Sequence, residues 1–359
     1  MVFMNNLIKN SVNKLEAYTP GEQVLDKDII KLNTNENPYL PSPDVQDILS
    51  MIDISRLSKY PDPNCIELRR VIADLHNCNI DEIFIGNGSD EILALSLRAF
   101  LERDESVGFF EPSYSLYPIL ANIEELRSIP IQLDSSFNWD GKYDKSIKLL
   151  FLANPNAPTG ISLSEDKVIN LLKNYTGLLI IDEAYADFSD YNLISLIKNY
   201  SNVIITRTLS KSYSLAGIRC GYCVGDKVLI DALYKIKDSY NVDYITQEIA
   251  RVAILDQGTM NANVQAIKET KTILYNQLLE FGFNVFPSNT NFLWFKPSGI
   301  SAKNLYKLLK EKNIVIRYFE NSIFTKDFLR VTIGTAPQIF KLIDSIKEII
   351  SGDFTNDKS

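Results

Sequence analysis

Short apolar runs alternate with segments of helical period through the middle of the chain. Residues 82–85, 106–110, 148–153, 178–181 and 203–206 are nearly continuous apolar runs, the pattern of strands buried on both faces of a sheet. Between them, 90–101, 113–123 and 164–174 carry helical spacing, and in 66–75 the residues Leu68, Val71, Ile72 and Leu75 share one face. This alternation predicts an α/β fold: a mostly parallel sheet flanked by helices and joined by right-handed crossovers. The texture changes after about residue 275. There 283–286, 291–295, 314–318 and 328–332 read as short alternating strands, with helices over 302–312 and 337–350. The division expected is an N-terminal segment, 1–40, lying on a smaller α/β C-terminal domain, 276–350, with a large domain at 41–275 and a polar tail at 351–359.

Composition narrows the chemistry. The 359 residues include 37 basic and 45 acidic side chains, a net charge of −8, and 45% hydrophobic residues, enough for a substantial core. An acidic balance argues against a general nucleic-acid binder, which would carry a basic face. One histidine, His76, excludes zinc sites built on several imidazoles, and no metal site is expected. It falls in a helical stretch and reads as a surface or capping residue. Cys220 and Cys223 have redox spacing, but they sit in an alternating, strand-like run rather than at a helix start. All four cysteines are therefore expected to be free thiols. The first residues lack the order of a signal peptide, and no apolar run is long enough to span a bilayer, so a cytoplasmic protein is expected.

In open α/β sheets, ligands bind beyond the carboxyl ends of the strands. Those ends carry Gly86-Asn-Gly-Ser-Asp90, Glu111-Pro-Ser-Tyr114, Asn154-Pro-Asn-Ala-Pro-Thr-Gly160, Asp182-Glu-Ala-Tyr185 and Thr208-Leu-Ser-Lys211. Gly88 and Ser89 precede a helix whose first N–H groups suit a phosphate. The third glycine of a dinucleotide fingerprint and the P-loop lysine are both missing. Asp182 leaves a strand that should be fully buried, which is costly without a cation or donors; a helix cap is the plainer reading. Lys211 alone reads as a surface amine, yet it stands among Thr208, Ser210 and Ser212, with Arg219 eight residues on.

Together these residues describe one kind of ligand. A cofactor aldehyde that forms a Schiff base needs a lysine, and its protonated pyridine nitrogen needs a carboxylate. Its phenolic oxygen, phosphate and ring face need a tyrosine or amide, a hydroxyl–arginine cup, and an aromatic. Lys211, Asp182, Tyr185, Asn156, Gly88, Ser89, Ser210, Arg219 and Tyr114 are available for those tasks.

The ordered set resembles fold-type-I pyridoxal-phosphate aminotransferases, and among them the histidinol-phosphate aminotransferase family. Ala17-Tyr-Thr-Pro-Gly-Glu-Gln23, Leu32-Asn-Thr-Asn-Glu-Asn-Pro38, Lys59-Tyr-Pro-Asp-Pro63, Val315-Ile-Arg-Tyr-Phe319 and Leu329-Arg-Val-Thr-Ile-Gly-Thr335 extend the likeness over nearly the whole chain. The resemblance implies pyridoxal 5′-phosphate held covalently by Lys211, with Asp182 at the pyridine nitrogen, Tyr185 at the phenolic oxygen and Tyr114 on the ring. It implies a phosphate cup of Gly88, Ser89, Asp90, Thr208, Ser210 and Arg219, and Tyr60 reaching in from the neighbouring subunit of a homodimer. Tyr18, Asn37, Arg317 and Arg330 would face substrate. The implied reaction takes histidinol phosphate and 2-oxoglutarate to imidazole-acetol phosphate and glutamate. The chain departs from the family at Ala157, where many relatives carry an asparagine on the phenolic oxygen, which leaves Asn156 or Tyr185 for that contact. It departs again at Ser239-Tyr-Asn-Val-Asp243, where relatives often begin with proline and end with asparagine. A phosphoserine- or phosphothreonine-type decarboxylase, an aminotransferase for another phosphorylated or aromatic amine, and a non-covalent nucleotide-binding α/β protein are the alternatives.

Overall fold

The computed structural model describes residues 7–13, 15, 21–23, 26, 28–320 and 322–352. Tyr18 and most of the polar tail lie outside the described residues. Among the described residues thirteen strands follow in chain order: β1 (Ile30–Lys31), β2 (Ile83–Gly86), β3 (Ser106–Glu111), β4 (Arg127–Gln132), β5 (Ile147–Ala153), β6 (Leu178–Asp182), β7 (Val203–Thr208), β8 (Gly221–Gly225), β9 (Asn284–Val285), β10 (Phe292–Lys296), β11 (Ile314–Val315), β12 (Arg317–Tyr318) and β13 (Leu329–Thr332). The large sheet runs β2-β8-β7-β6-β5-β3-β4 and is parallel except for β8, which is antiparallel to both neighbours. Successive residues of one strand enter two separate apolar layers. Leu150, Ile181 and Ile205 join one, and Phe151, Ile180 and Ile204 join the other. Burial on both faces is the physical reason these strands read as unbroken apolar runs.

A four-stranded antiparallel sheet, β12-β13-β10-β9, lies in the C-terminal part of the chain, and β1 pairs in parallel with β11. The predicted strand over 314–318 is thus two pieces, one pairing with the N-terminal segment and the next with β13. β4 was not predicted. It is an edge strand with a proline and one buried residue, so its sequence lacks a buried-strand signal. Helices Lys227–Ile236, Tyr244–Leu255 and Gln257–Glu280 were also not predicted. Each begins at an aspartate cap: Asp226, Asp243 and Asp256 accept from the backbone N–H of Val228, Thr246 and Thr259. The helix expected from 113 starts at Leu116 instead, leaving Ser113, Tyr114 and Ser115 in a turn.

Two readings of single residues are resolved. His76 ends the helix Ile66–His76 and is half-buried: its ring nitrogen Nε2 lies 2.8 Å from Tyr222 Oη, and burial pushes its pKa down to about 4. The four cysteines are free, and burial raises the thiols of Cys220 and Cys223, so neither is an activated thiolate. Among the described residues no group of potential metal ligands comes together, and no helix is long and apolar enough to cross a membrane.

Candidate active site

The parallel strands place their carboxyl ends side by side, with Ala153, Asp182 and Thr206 in register on β5, β6 and β7. Beyond them opens a cavity of about 270 Å³ whose wall also includes residues 33–36, Arg317, Phe319 and Arg330. Of the residues singled out in the sequence, Ser89, Asp90, Tyr114, Asp182, Tyr185, Thr208, Ser210, Lys211, Arg219, Arg317 and Arg330 line this one cavity. Residues spread over more than two hundred positions meet here: Asp182 and Thr208 end strands of the large sheet, Ser89 and Asp90 start a helix, Tyr114, Tyr185, Ser210, Lys211 and Arg219 stand in the connections between its elements, and Arg317 and Arg330 come from β12 and β13 of the smaller sheet.

Asp182 closes the deep end and is 6% exposed. Its Oδ2 accepts from Tyr117 Oη at 2.9 Å and its Oδ1 from the backbone N–H of Ala184 at 3.1 Å. Burial raises its pKa to about 6 despite those two hydrogen bonds, with Asp90 adding repulsion. A cationic ring nitrogen is the partner that such a carboxylate lacks. Lys211 is also desolvated: burial, then Arg330, brings its pKa down to about 8. Its Nζ donates to Thr34 O at 3.2 Å and stands 5.8 Å from the centre of the Tyr185 ring. Tyr185 Oη accepts from Asn35 Nδ2 at 2.7 Å, and burial raises its pKa.

The opposite rim forms an anion cup. Gly88 precedes the helix Ser89–Phe100 with φ +79°, and a Cβ there would lie 2.7 Å from Arg219 Nη2. Only glycine lets the guanidinium approach so closely. Arg219 also contacts Ser210 Oγ at 3.4 Å and Asp90 Oδ2 at 3.3 Å, and Thr208 Oγ1 donates to Ser210 Oγ at 3.0 Å. Tyr114 donates to Asp90 Oδ1 at 3.2 Å. Hydroxyls, an arginine and a helix N-terminus suit a phosphate. An aromatic wall, an amine and a buried carboxylate within one cavity complete the donor set that pyridoxal phosphate requires, and the residues fit it.

Four expected site residues stand elsewhere. Asn156 lies behind the wall, its Nδ2 donating to Pro112 O and Thr159 Oγ1 while its Oδ1 accepts from Ser113 Oγ. These bonds engage the whole amide, and Ala157 rather than Asn156 reaches the cavity. Asn37 braces the lysine loop, donating from Nδ2 to the carbonyls of Lys211 and Ser212. Gly88 shapes the cup without lining it. Tyr60 is 80% exposed and stacked on Tyr240 at 4.3 Å, outside the cavity of its own chain. Tyr18 lies outside the described residues.

Several residues were not anticipated. Asn35 was quoted only as part of a motif, yet it joins Tyr185 to Thr332, whose Oγ1 contacts both its backbone N and its Oδ1. Behind the site, Arg207 bridges Glu183 and Asp187, and Asp187 accepts from Ser212 Oγ. Glu183 follows Asp182 and Ser212 follows Lys211, so this network ties the two chemical residues together from the rear. The adjacency was in the sequence; the arginine linking them was not recognisable there.

A family model, aminotransferase class I and II, matches residues 27–346. The chain is 42% identical over 354 residues to a histidinol-phosphate aminotransferase of Clostridium botulinum (strain 657 / Type Ba4), covering 97% of this chain and 99% of that protein. It is 39% identical over 343 residues to the histidinol-phosphate aminotransferase of Synechocystis sp., covering 95% and 98%. The solved structure of the histidinol-phosphate aminotransferase from Clostridium acetobutylicum superposes with a TM-score of 0.84 at 27% identity, covering 90% of this chain and all of that one. With the cavity built as described and likeness of this extent, the chain belongs to the histidinol-phosphate aminotransferase family within the class I and II aminotransferases.

Proposed function

We propose that the protein is a pyridoxal 5′-phosphate-dependent aminotransferase that moves an amino group from histidinol phosphate to 2-oxoglutarate in histidine biosynthesis. The observation that carries this reading is the desolvated Lys211 amine in one cavity with the buried Asp182 carboxylate and the Arg219 cup. Bound there, the cofactor would supply an aldehyde for the lysine and a ring able to accept negative charge from the substrate's α-carbon.

The chain's own residues do the rest. With the cofactor bound, Asp182 would hold the ring nitrogen in its protonated form, Tyr185 would donate to the phenolic oxygen, and Ser89, Thr208, Ser210 and Arg219 would grip the phosphate. Lys211 would carry the α-proton, a task suited to a base that burial brings to about 8. Arg330 forks onto the carboxylate of glutamate, and Arg317 takes the second anionic group. In this reading residues 41–275 carry the cofactor and 276–350 carry Arg317 and Arg330; the N-terminal segment, expected to lie on the smaller domain alone, divides, with β1 pairing with β11 while Asn10–Asn13 packs on the helix Leu116–Ile123 of the large domain, where Ser11 Oγ donates to Glu125 Oε1 at 3.1 Å. A second copy of the chain supplies Tyr60 to the phosphate, making the working unit a homodimer; Met51, Ile54, Leu57 and Tyr240 share its exposure.

The test is spectroscopic and kinetic. Purified protein with the cofactor should absorb at about 400–430 nm, as the lysine-bound aldehyde does, and Lys211→Ala should abolish both the band and turnover. Full turnover by that variant, or carbon dioxide release without consumption of 2-oxoglutarate, would reject the proposal. Sedimentation as a monomer under turnover conditions would reject the role given to Tyr60.

A further inference from the structure

Tyr117 has no place in the chemistry above, yet it is built into the site from behind. It lies in the first turn of the helix Leu116–Ile123 and is completely buried. Its ring stacks on Phe151 of β5 at 4.8 Å and 13°, and meets Tyr114 edge-on at 5.6 Å and 84°. Its hydroxyl donates to Asp182 Oδ2 at 2.9 Å. A phenol held so rigidly has little freedom to turn away, and the ring it packs edge-on is the one that would cover the cofactor.

We propose that Tyr117 is a positioning residue that fixes the Asp182 carboxylate, in its ionised form, toward the cofactor's ring nitrogen. The inference rests on the function proposed above and extends it to a residue that does not touch the cofactor. Donation to a carboxylate favours its charged form. Without Tyr117 the burial that already raises Asp182 would go less opposed, and the neutral acid cannot pair with a cationic ring. The other ionisable groups around this carboxylate come from several elements: Asp90 from the helix Ser89–Phe100, Tyr114 from the preceding turn, Tyr185 beyond β6, Lys211 and Arg219 beyond β7. All remain in the variants compared, so differences between variants isolate the one hydroxyl.

The experiment measures the dissociation constant of pyridoxal 5′-phosphate as a function of pH for the wild type, Y117F, D182N and the double variant. The Y117F change should weaken the wild-type affinity about 10- to 100-fold, the range of a hydrogen bond to a charged group, and move the acid limb of the affinity profile to higher pH. In the D182N background the same change should cost less than about threefold, since no charge is left to hold. Difluorotyrosine at position 117, a more acidic donor, should move the acid limb the other way, and that arm decides the matter if Y117F does not fold. An unmoved acid limb, or an equal loss in both backgrounds, overturns the inference and marks Tyr117 as packing only. If D182N itself binds the cofactor as tightly as wild type, it is the proposed function that fails, an outcome separate from the first.

Discussion

Replacing Arg207 by alanine would strand two carboxylates in the interior. The guanidinium lies 2.8 Å from Glu183 Oε2 and 2.7 Å from Asp187 Oδ1, and the side chains of Arg207 and Glu183 are 7% and 1% exposed. Burial lowers an arginine's affinity for its proton, but here Glu183 and Asp187 outweigh that and hold it above its usual value. Removing one partner of a buried pair costs about 3–5 kcal/mol, because the remaining charge keeps its desolvation penalty without compensation. Two carboxylates are affected, so a loss of about 4 kcal/mol is expected in denaturant-induced unfolding of the cofactor-free protein. The pH dependence gives the sign. Burial holds Glu183 above the usual carboxylate range, with Arg207 pulling against it. Without Arg207 the folded-state pKa rises further, which favours the folded state only once the group is protonated. The loss should therefore be largest near neutrality and shrink as pH falls toward about 5. Arg207→Lys keeps a charge without the fork and should fall between. A loss below about 1 kcal/mol, or one constant across that range, would show that the network is not a desolvated ion pair.

Further outcomes follow from the cavity. Because Lys211 is brought to about 8, the rate of cofactor attachment to cofactor-free protein should rise with pH through that value; stopped-flow absorbance showing a midpoint near 10.5 would contradict the burial. Gly88→Ala would place a methyl 2.7 Å from Arg219 Nη2 in a left-handed backbone, so pyridoxal phosphate should bind about tenfold more weakly or worse, about 1.4 kcal/mol, while phosphate-free pyridoxal is little affected. Equal losses for both ligands would remove the phosphate from that cup. Arg330→Ala should raise the KM for glutamate and 2-oxoglutarate about 10- to 100-fold, and Arg330→Lys should rescue little of it; steady-state kinetics with a lysine variant as good as wild type would refute the planar fork. Cofactor-free protein should also lose about 3 kcal/mol of stability as pH rises from about 4 to about 6, where Asp182 ionises in the unfolded chain but stays protonated in the fold, a loss that Asp182→Asn removes.

The strands that were legible are those covered on both faces. Residues 178–181 and 203–206 read as strands because each side chain had an apolar layer to enter, and the polar residues at their ends then had to be explained by a ligand. β4 was silent because an edge strand needs no such pattern, and the helices Lys227–Ile236, Tyr244–Leu255 and Gln257–Glu280 were silent although an aspartate caps each of them. Inside the site, Asp182 was legible because charge at the exit of a buried strand is costly, and Lys211 because hydroxyls surround it with an arginine eight residues on. Tyr117 and Arg207 were not. An aromatic inside a helix looks like core, and an arginine's partners in another strand are invisible until the sheet sets their register. Asn156 shows the reverse failure: the right residue type was adjacent to the right motif, but the turn aims Ala157 at the cavity and the amide at Pro112 and Ser113.

The arginine pair shows how far the small sheet is shaped by the site. Arg317 and Arg330 are direct partners across β12 and β13, an arrangement of like charges that opposes strand pairing. Aromatic faces offset part of this: Arg317 lies 5.2 Å from the Phe319 ring centre, and Arg330 lies 5.4 Å from Phe319 and 5.1 Å from Phe292. Arg330 Nη2 also donates to Asn33 O at 3.2 Å, which ties it to the N-terminal segment that walls the cavity. Two cations concentrated at one mouth bias the sheet toward a state completed by an anionic ligand, since anything with negative charge relieves the repulsion that folding alone leaves in place. Arg330 also adds to the burial that lowers the proton affinity of Lys211, so the residue that attracts a carboxylate also helps to keep the amine ready to react.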